Sequence, residues 1–187
     1  MKRIVSIVRV AAAILMLAAA PGLSRAQDSG SGKSLQPRMV ISTSEIEGGN
    51  VFEVMYVPAE DHTDYYLNVG HLGIGNEVVQ ANIDPIFNLY VKLGESITEA
   101  ISTMEQLKAM FGTVGSTMEL NGSLGIAFPT EKTETVVITC RKPLLSKYLD
   151  FSLVRDGYLR SAACEKSNLN SLFSGLKLYK KLHPKVK

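Results

Sequence analysis

The chain has 187 residues, with 20 Lys and Arg against 18 Asp and Glu, for a formal charge of +2. That balance gives no ground for a nucleic-acid partner, and the absence of Trp weighs against a carbohydrate-binding face. The length suits one domain or two small lobes and is enough to bury a core.

Met1–Arg9 carries Lys2, Arg3 and Arg9, and an unbroken apolar run follows over Val10–Ala20. Ser24-Arg25-Ala26 then sets small side chains on either side of Arg25, before a cut at Gln27. This succession predicts a secretory signal peptide over residues 1–26, because the apolar run falls short of the about 20 residues that a membrane span needs. The expected product is soluble and exported, periplasmic or extracellular, with no later transmembrane segment. Loss of Lys2, Arg3, Arg9 and Arg25 leaves it at −2.

Residues 27–38 (QDSGSGKSLQPR) are polar and rich in Gly and Ser, which predicts a flexible leader. A first β-rich unit is expected over 39–94, with strands at Met39–Ser44, Val51–Val57, Tyr65–Val69 and Glu77–Ala81. Val51–Val57 is apolar on both faces and reads as a central strand. Asp84 suits a helix cap and Pro85 a first helical position, and Ile86, Leu89, Tyr90 and Leu93 share a helical face. A closing helix ending at Gly94 is predicted. Residues 95–113 then form a linking helix. Ser96-Ile97-Thr98-Glu99 is its capping box, and Ile97, Ile101, Met104, Leu107 and Phe111 make its apolar stripe.

The second β-rich unit spans 114–187. Asn121-Gly122 predicts a two-residue hairpin between Thr117–Leu120 and Ser123–Phe128. Strands follow at Thr135–Arg141, Tyr148–Val154 and Tyr158–Cys164, and a last helix over about Asn170–Leu182. The halves resemble each other: Val51–Val57 before Pro58 falls opposite Thr135–Lys142 before Pro143, and Asn82–Phe87 falls opposite Asn168–Phe173. The fold class predicted is therefore α+β. It comprises two similar antiparallel β-rich units, each closed by a helix and joined by an extra amphipathic helix, with 39–187 as one compact domain.

Charge is divided along the chain. Residues 27–113 hold twelve acidic and four basic side chains, whereas residues 114–187 hold six acidic and twelve basic. Such halves attract within one fold, or allow copies of the chain to associate.

Cys140 and Cys164 fall on the outer strands of an expected three-strand meander, about 9–10 Å apart across the middle strand. A disulfide needs Cα atoms within about 7 Å, so two buried unpaired thiols are predicted. The acidic turn at 60–64 places Asp61 and Asp64 on either side of His62, with His71 across a hairpin and Tyr65 and Tyr66 beside it. These six residues form the candidate binding set, although Asp is also favoured in turns for its backbone hydrogen bonding. The spacing meets no metal-ligand pattern, and no metal or cofactor is expected. Lys177, Lys180 and Lys181 make a candidate basic patch for an anionic lipid or an acidic protein. No Gly-x-Ser-x-Gly elbow, P-loop or dinucleotide fingerprint occurs in the required context.

The function expected is that of an exported, non-enzymatic envelope or secreted protein acting by protein or ligand binding. The alternatives are an envelope hydrolase using the acidic and histidine residues of 60–71, and a self-associating structural protein.

Overall fold

In β3, Tyr65, Leu67 and Val69 turn to one face and Tyr66 and Asn68 to the other, the period-two pattern of a strand. Strands of this kind make up most of the regular structure among the described residues. The computed structural model describes residues 38–45, 51–71, 73–74, 87–155 and 158–185. Its strands are β1 (Met39–Glu45), β2 (Val51–Pro58), β3 (Thr63–His71), β4 (Gly73–Ile74), β5 (Asn88–Gly94), β6 (Thr117–Gly125), β7 (Glu134–Arg141), β8 (Tyr148–Arg155) and β9 (Tyr158–Glu165). Two helices complete it, α1 (Ile97–Met110) and α2 (Lys166–Leu182). The signal-peptide and leader assignments, the strand at Glu77–Ala81 and the cap at Asp84-Pro85 lie outside the described residues.

All neighbouring strands are antiparallel, in the order β1-β2-β3-β5-β6-β7-β8-β9-β4. β4 starts two positions after β3 ends, yet it pairs with β9 at the far end of the order. In a flat sheet β3 and β9 would lie about 24 Å apart, at about 4.8 Å per strand. One intervening residue cannot span that, so the sheet curls until β3 and β9 approach each other. α2 touches both β1 and β9, which a helix about 10 Å wide can do only from the concave side. α1 packs beside α2 and against β5 and β3.

One apolar core fills the concavity. Phe52, Val54, Leu67, Val69, Leu89, Val91, Val136, Ile138 and Phe151 come from the sheet, and Ile97, Met104, Leu107, Leu172, Phe173 and Leu176 from the helices. Each such side chain contributes about 1.5–3 kcal/mol by leaving water. α2 is drawn close to β1: a Cβ at Gly175 would fall 2.4 Å from the Ser42 Cβ. There the Ser42 hydroxyl donates to the Leu172 carbonyl at 3.1 Å, and the Asn168 amide donates to Ser44 Oγ at 3.0 Å.

The architecture corrects the expected fold class. Among the described residues the molecule is mostly β, one curled antiparallel sheet with two helices, rather than two β-rich units each closed by a helix and joined by a third. The overturned element is the helix at Ile86–Leu93, where Asn88–Gly94 is β5. Leu89, Tyr90 and Leu93 match a helical stripe by spacing, but Tyr90 and Val91 are both buried although they point to opposite faces. A short strand covered on both sides cannot be told from a helix by periodicity alone. The repeat falls with it, since the segment aligned with α2 runs into a strand.

The hairpin at Asn121-Gly122 is also absent, because β6 runs straight through it. Its Thr117–Gly122 stretch pairs with β7, and its Gly122–Gly125 stretch pairs with β5. Gly122 sits at the overlap, where a Cβ would lie 2.6 Å from Val136 Cγ2 and 2.9 Å from the Tyr90 carbonyl oxygen. The glycine serves close approach rather than a turn. Gly122→Ala should therefore lower stability by about 1–3 kcal/mol through overpacking, read as an earlier urea midpoint.

Other expectations match. The helix expected within 95–113 is present as α1, though it links no two units, with Ser96 Oγ accepting from the Glu99 amide at 3.2 Å. Glu99 reaches back to the Glu95 amide at 2.8 Å, one residue before the cap. β2 lies between β1 and β3 with Val54 and Met55 buried on opposite faces. The meander appears as β7, β8 and β9, and Cys140 and Cys164 both lie opposite Leu149. Both thiols are free and buried, and burial pushes that of Cys164 up to about 12. Neither cysteine should react with an alkylating reagent in the native protein, and both should react in denaturant without reductant. A mass count of added groups reads the difference.

Candidate functional site

The acidic turn leads into β3. It places His62 between two carboxylates, with Nδ1 against Asp61 Oδ1 at 2.5 Å and Nε2 3.2 Å from Asp64 Oδ1. The imidazole pKa is raised above its ordinary 6.5, first by the hydrogen bond it donates to Asp61, against desolvation and with help from the charges of Asp64, Asp61 and Glu95. The same contact with His62 lowers the Asp61 carboxyl. Tyr66 projects to the same side as Asp64 and donates its hydroxyl to Asp64 Oδ2 at 3.3 Å. Burial, followed by the neighbouring Asp64 charge, pushes its phenol up to about 12.

Two further residues complete the group, and both come from about thirty positions further on. Lys92 of β5 places Nζ 2.9 Å from Asp64 Oδ1 and 2.7 Å from Glu95 Oε1. Glu95 follows β5 and precedes the cap of α1. His62, Asp64 and Glu95 each offer a ligand atom, all within 4.8 Å of one another, a spacing that a cation could bridge. The Lys92 ammonium already stands between the two carboxylates. Desolvation opposes its charge, but the hydrogen bonds it donates to Glu95 and Asp64, and their charges, raise its pKa to about 12. A metal ion would have to displace a lysine that holds its proton firmly. The arrangement is an internal ion-pair clasp that ties the β2–β3 turn to the β5–α1 junction.

The remaining sequence candidates are placed elsewhere. Tyr65 faces the core, fully buried, with its ring 6.0 Å from that of Tyr56. It has no surface to offer a ligand. His71 ends β3 with its backbone opposite Asn88. Seven residues of extended strand, about 23 Å, separate its backbone from that of Asp64. Lys177 pairs with Glu105 at 3.3 Å and lies over the Phe173 ring, 4.3 Å from its centroid. Lys108 approaches the same ring at 4.4 Å. Lys180 donates to Thr98 Oγ1 at 2.9 Å, and Lys181 is exposed. Two of the three patch lysines are thus engaged in fastening α2 to α1.

The sequence reading passed over the β7–β8 hairpin, Arg141-Lys142-Pro143-Leu144-Leu145-Ser146-Lys147. Both stems are fixed. Arg141 donates to Asp150 Oδ2 at 2.7 Å, and Lys147 donates to the carbonyls of Phe111 at 2.7 Å and Gly112 at 3.4 Å, beyond the last turn of α1. A cation there suits the negative end of the helix dipole. Between the stems the tip stands free, with Leu144 84% and Leu145 94% exposed. Val114, 50% exposed, is held nearby by paired hydrogen bonds, from the Gly115 amide to the Cys140 carbonyl at 2.8 Å and from the Cys140 amide to the Ser116 carbonyl at 3.0 Å. Val114, Gly115, Lys142, Pro143 and Tyr148 border a shallow hollow of about 410 Å³. The signal was present in the sequence: two adjacent leucines in a turn, where polar residues are the rule.

Comparison with protein families, with curated proteins and with solved structures gives no match. No helix among the described residues is long and apolar enough to cross a membrane.

The clasp predicts a pH signature. A raised folded pKa means that the His62 imidazolium contributes its stabilisation fully below the unfolded value of 6.5, and loses it as pH rises through the higher folded value. The His62 ring resonances should titrate above 6.5, and Asp61→Asn should move that midpoint down. An unshifted midpoint in the unaltered chain would contradict the geometry.

Proposed function

We propose that this is an exported, non-enzymatic protein that acts by binding at the cell envelope or outside the cell. The observation that carries the binding reading is the β7–β8 tip, where two adjacent leucines are held in water by stems pinned on both sides. An exposed pair of this kind adds nothing to the core, and exposed apolar surface beside charged residues is what a recognition surface requires. The clasp supports the same reading, since Asp64 and Glu95 are both engaged by Lys92, and Asp61 by His62, within the chain. Export rests on the basic, apolar and small-residue order of the first 26 positions.

Expression in a secreting host tests both parts. The exported fraction should contain a chain beginning at Gln27, and that chain should sediment with the envelope. Leu144→Asp with Leu145→Asp should leave the melting temperature unchanged and shift the protein to the soluble fraction. Intact chain confined to the cytosol would overturn export. An unaltered distribution of the double variant would overturn binding through the tip.

A further inference from the structure

We infer that the β7–β8 hairpin is a membrane-docking finger that inserts Leu144 and Leu145 into the surface of an anionic lipid bilayer. The inference rests on the binding reading above and names its partner.

The shape of the tip favours lipid. Pro143, Leu144, Leu145 and Ser146 are all exposed at the turn between two antiparallel strands, so the apolar side chains stand on a projection rather than in a groove. A protein partner would need a matching pocket, whereas a fluid acyl boundary accepts any protruding apolar tip. Interfacial insertion reaches about 5–10 Å, within the span of two leucine side chains on a turn.

The charges around the tip fit the same partner. Lys142 lies exposed immediately before the Pro-Leu-Leu-Ser tip, and Lys147 immediately after it adds its charge while donating to the end of α1. Arg141 is matched by Asp150 at 2.7 Å. Lys166 and Glu165 border a second hollow together with Ser146 and Lys147. The acidic groups at this end are therefore Asp150 and Glu165, against Arg141, Lys142, Lys147 and Lys166, an excess of two positive charges. Val114, half exposed, borders the same hollow as Pro143 and adds apolar surface there. An apolar tip with a cationic collar matches the order of a bilayer from acyl chains to anionic headgroups.

The chain has no Trp, so one introduced at the tip reports without background. Leu145→Trp should show a blue-shifted emission when mixed with phosphatidylcholine vesicles containing about a third phosphatidylglycerol. Leu178→Trp, at an exposed position on α2, should show none. Leu144→Asp with Leu145→Asp should weaken vesicle flotation about 100-fold, on the order of tenfold per leucine, with an unchanged melt. Lys142→Glu should weaken it about fivefold on the anionic vesicles and scarcely on phosphatidylcholine alone. Absence of vesicle binding, or binding indifferent to the two aspartates, overturns the inference. If the double variant leaves the envelope fraction while the unaltered chain ignores vesicles, the binding reading stands and the lipid partner falls.

Discussion

The pairing of β4 with β9 is the constraint on which the rest of the structure depends. Because β4 follows β3 almost at once, strands remote in the sheet order are brought together, and the sheet must close on itself. Closure makes a concave face, and a concave apolar face needs filling. α1 and α2 fill it, which is why both helices share one core with strands from β2 to β9. The close passage of Gly175 over Ser42 and the double pairing at Gly122 follow from the same crowding. At Gly122 and Gly175, where the curled sheet is packed closely, there is no room for a β-carbon.

Outside that core the second face is held by polar contacts. Asn68 donates to Glu53 at 3.0 Å, and Arg38 lies 3.5 Å from the same carboxylate and over the Phe128 ring. The segment after β6 folds back on itself, with the Thr130 amide donating to Ser123 Oγ at 3.1 Å and its hydroxyl donating to the Leu124 carbonyl at 3.0 Å. Asn88 reaches across to the Ile126 carbonyl at 2.9 Å. These contacts bury Tyr90 and Met55 on the side away from the helices, and that burial made β5 look helical in the sequence. The His62–Asp64–Lys92–Glu95 clasp continues the pattern toward the start of α1. The acidic first half of the chain neutralises part of its charge internally there, while Lys177 and Glu105 join the two halves.

What was legible in the sequence was local. The α1 cap, its apolar stripe and the meander from Glu134 to Glu165 are written in neighbouring residues, so they could be read without knowing what packs on them. The cysteine spacing followed from the meander alone. β5 and β6 were misread because their signals mean different things in different surroundings. A Leu-Tyr-x-x-Leu spacing belongs to a helix with one buried face or to a strand with two. Asn-Gly makes a turn when the chain reverses, but it fills a tight crossing when strands converge. The clasp was half legible: Asp61, His62 and Asp64 are adjacent, whereas Lys92 and Glu95 arrive only through the β3–β5 pairing. Without Lys92 in view the carboxylates looked available for a ligand.

The same contrast separates the two surface features. At the clasp each charge meets an opposite charge within the chain, so its chemistry is spent on the fold. At the β7–β8 hairpin the groups with fold-directed work are confined to the stems, Arg141 on Asp150 and Lys147 on the end of α1. Removing those contacts would loosen the turn, but adding apolar groups at the tip does nothing to tighten it. Leu144 and Leu145 therefore cannot be explained by stability, since a side chain left in water contributes none of the transfer free energy that buried leucines supply. The base of the turn depends on these stem contacts, which depend in turn on β8 being held between β7 and β9.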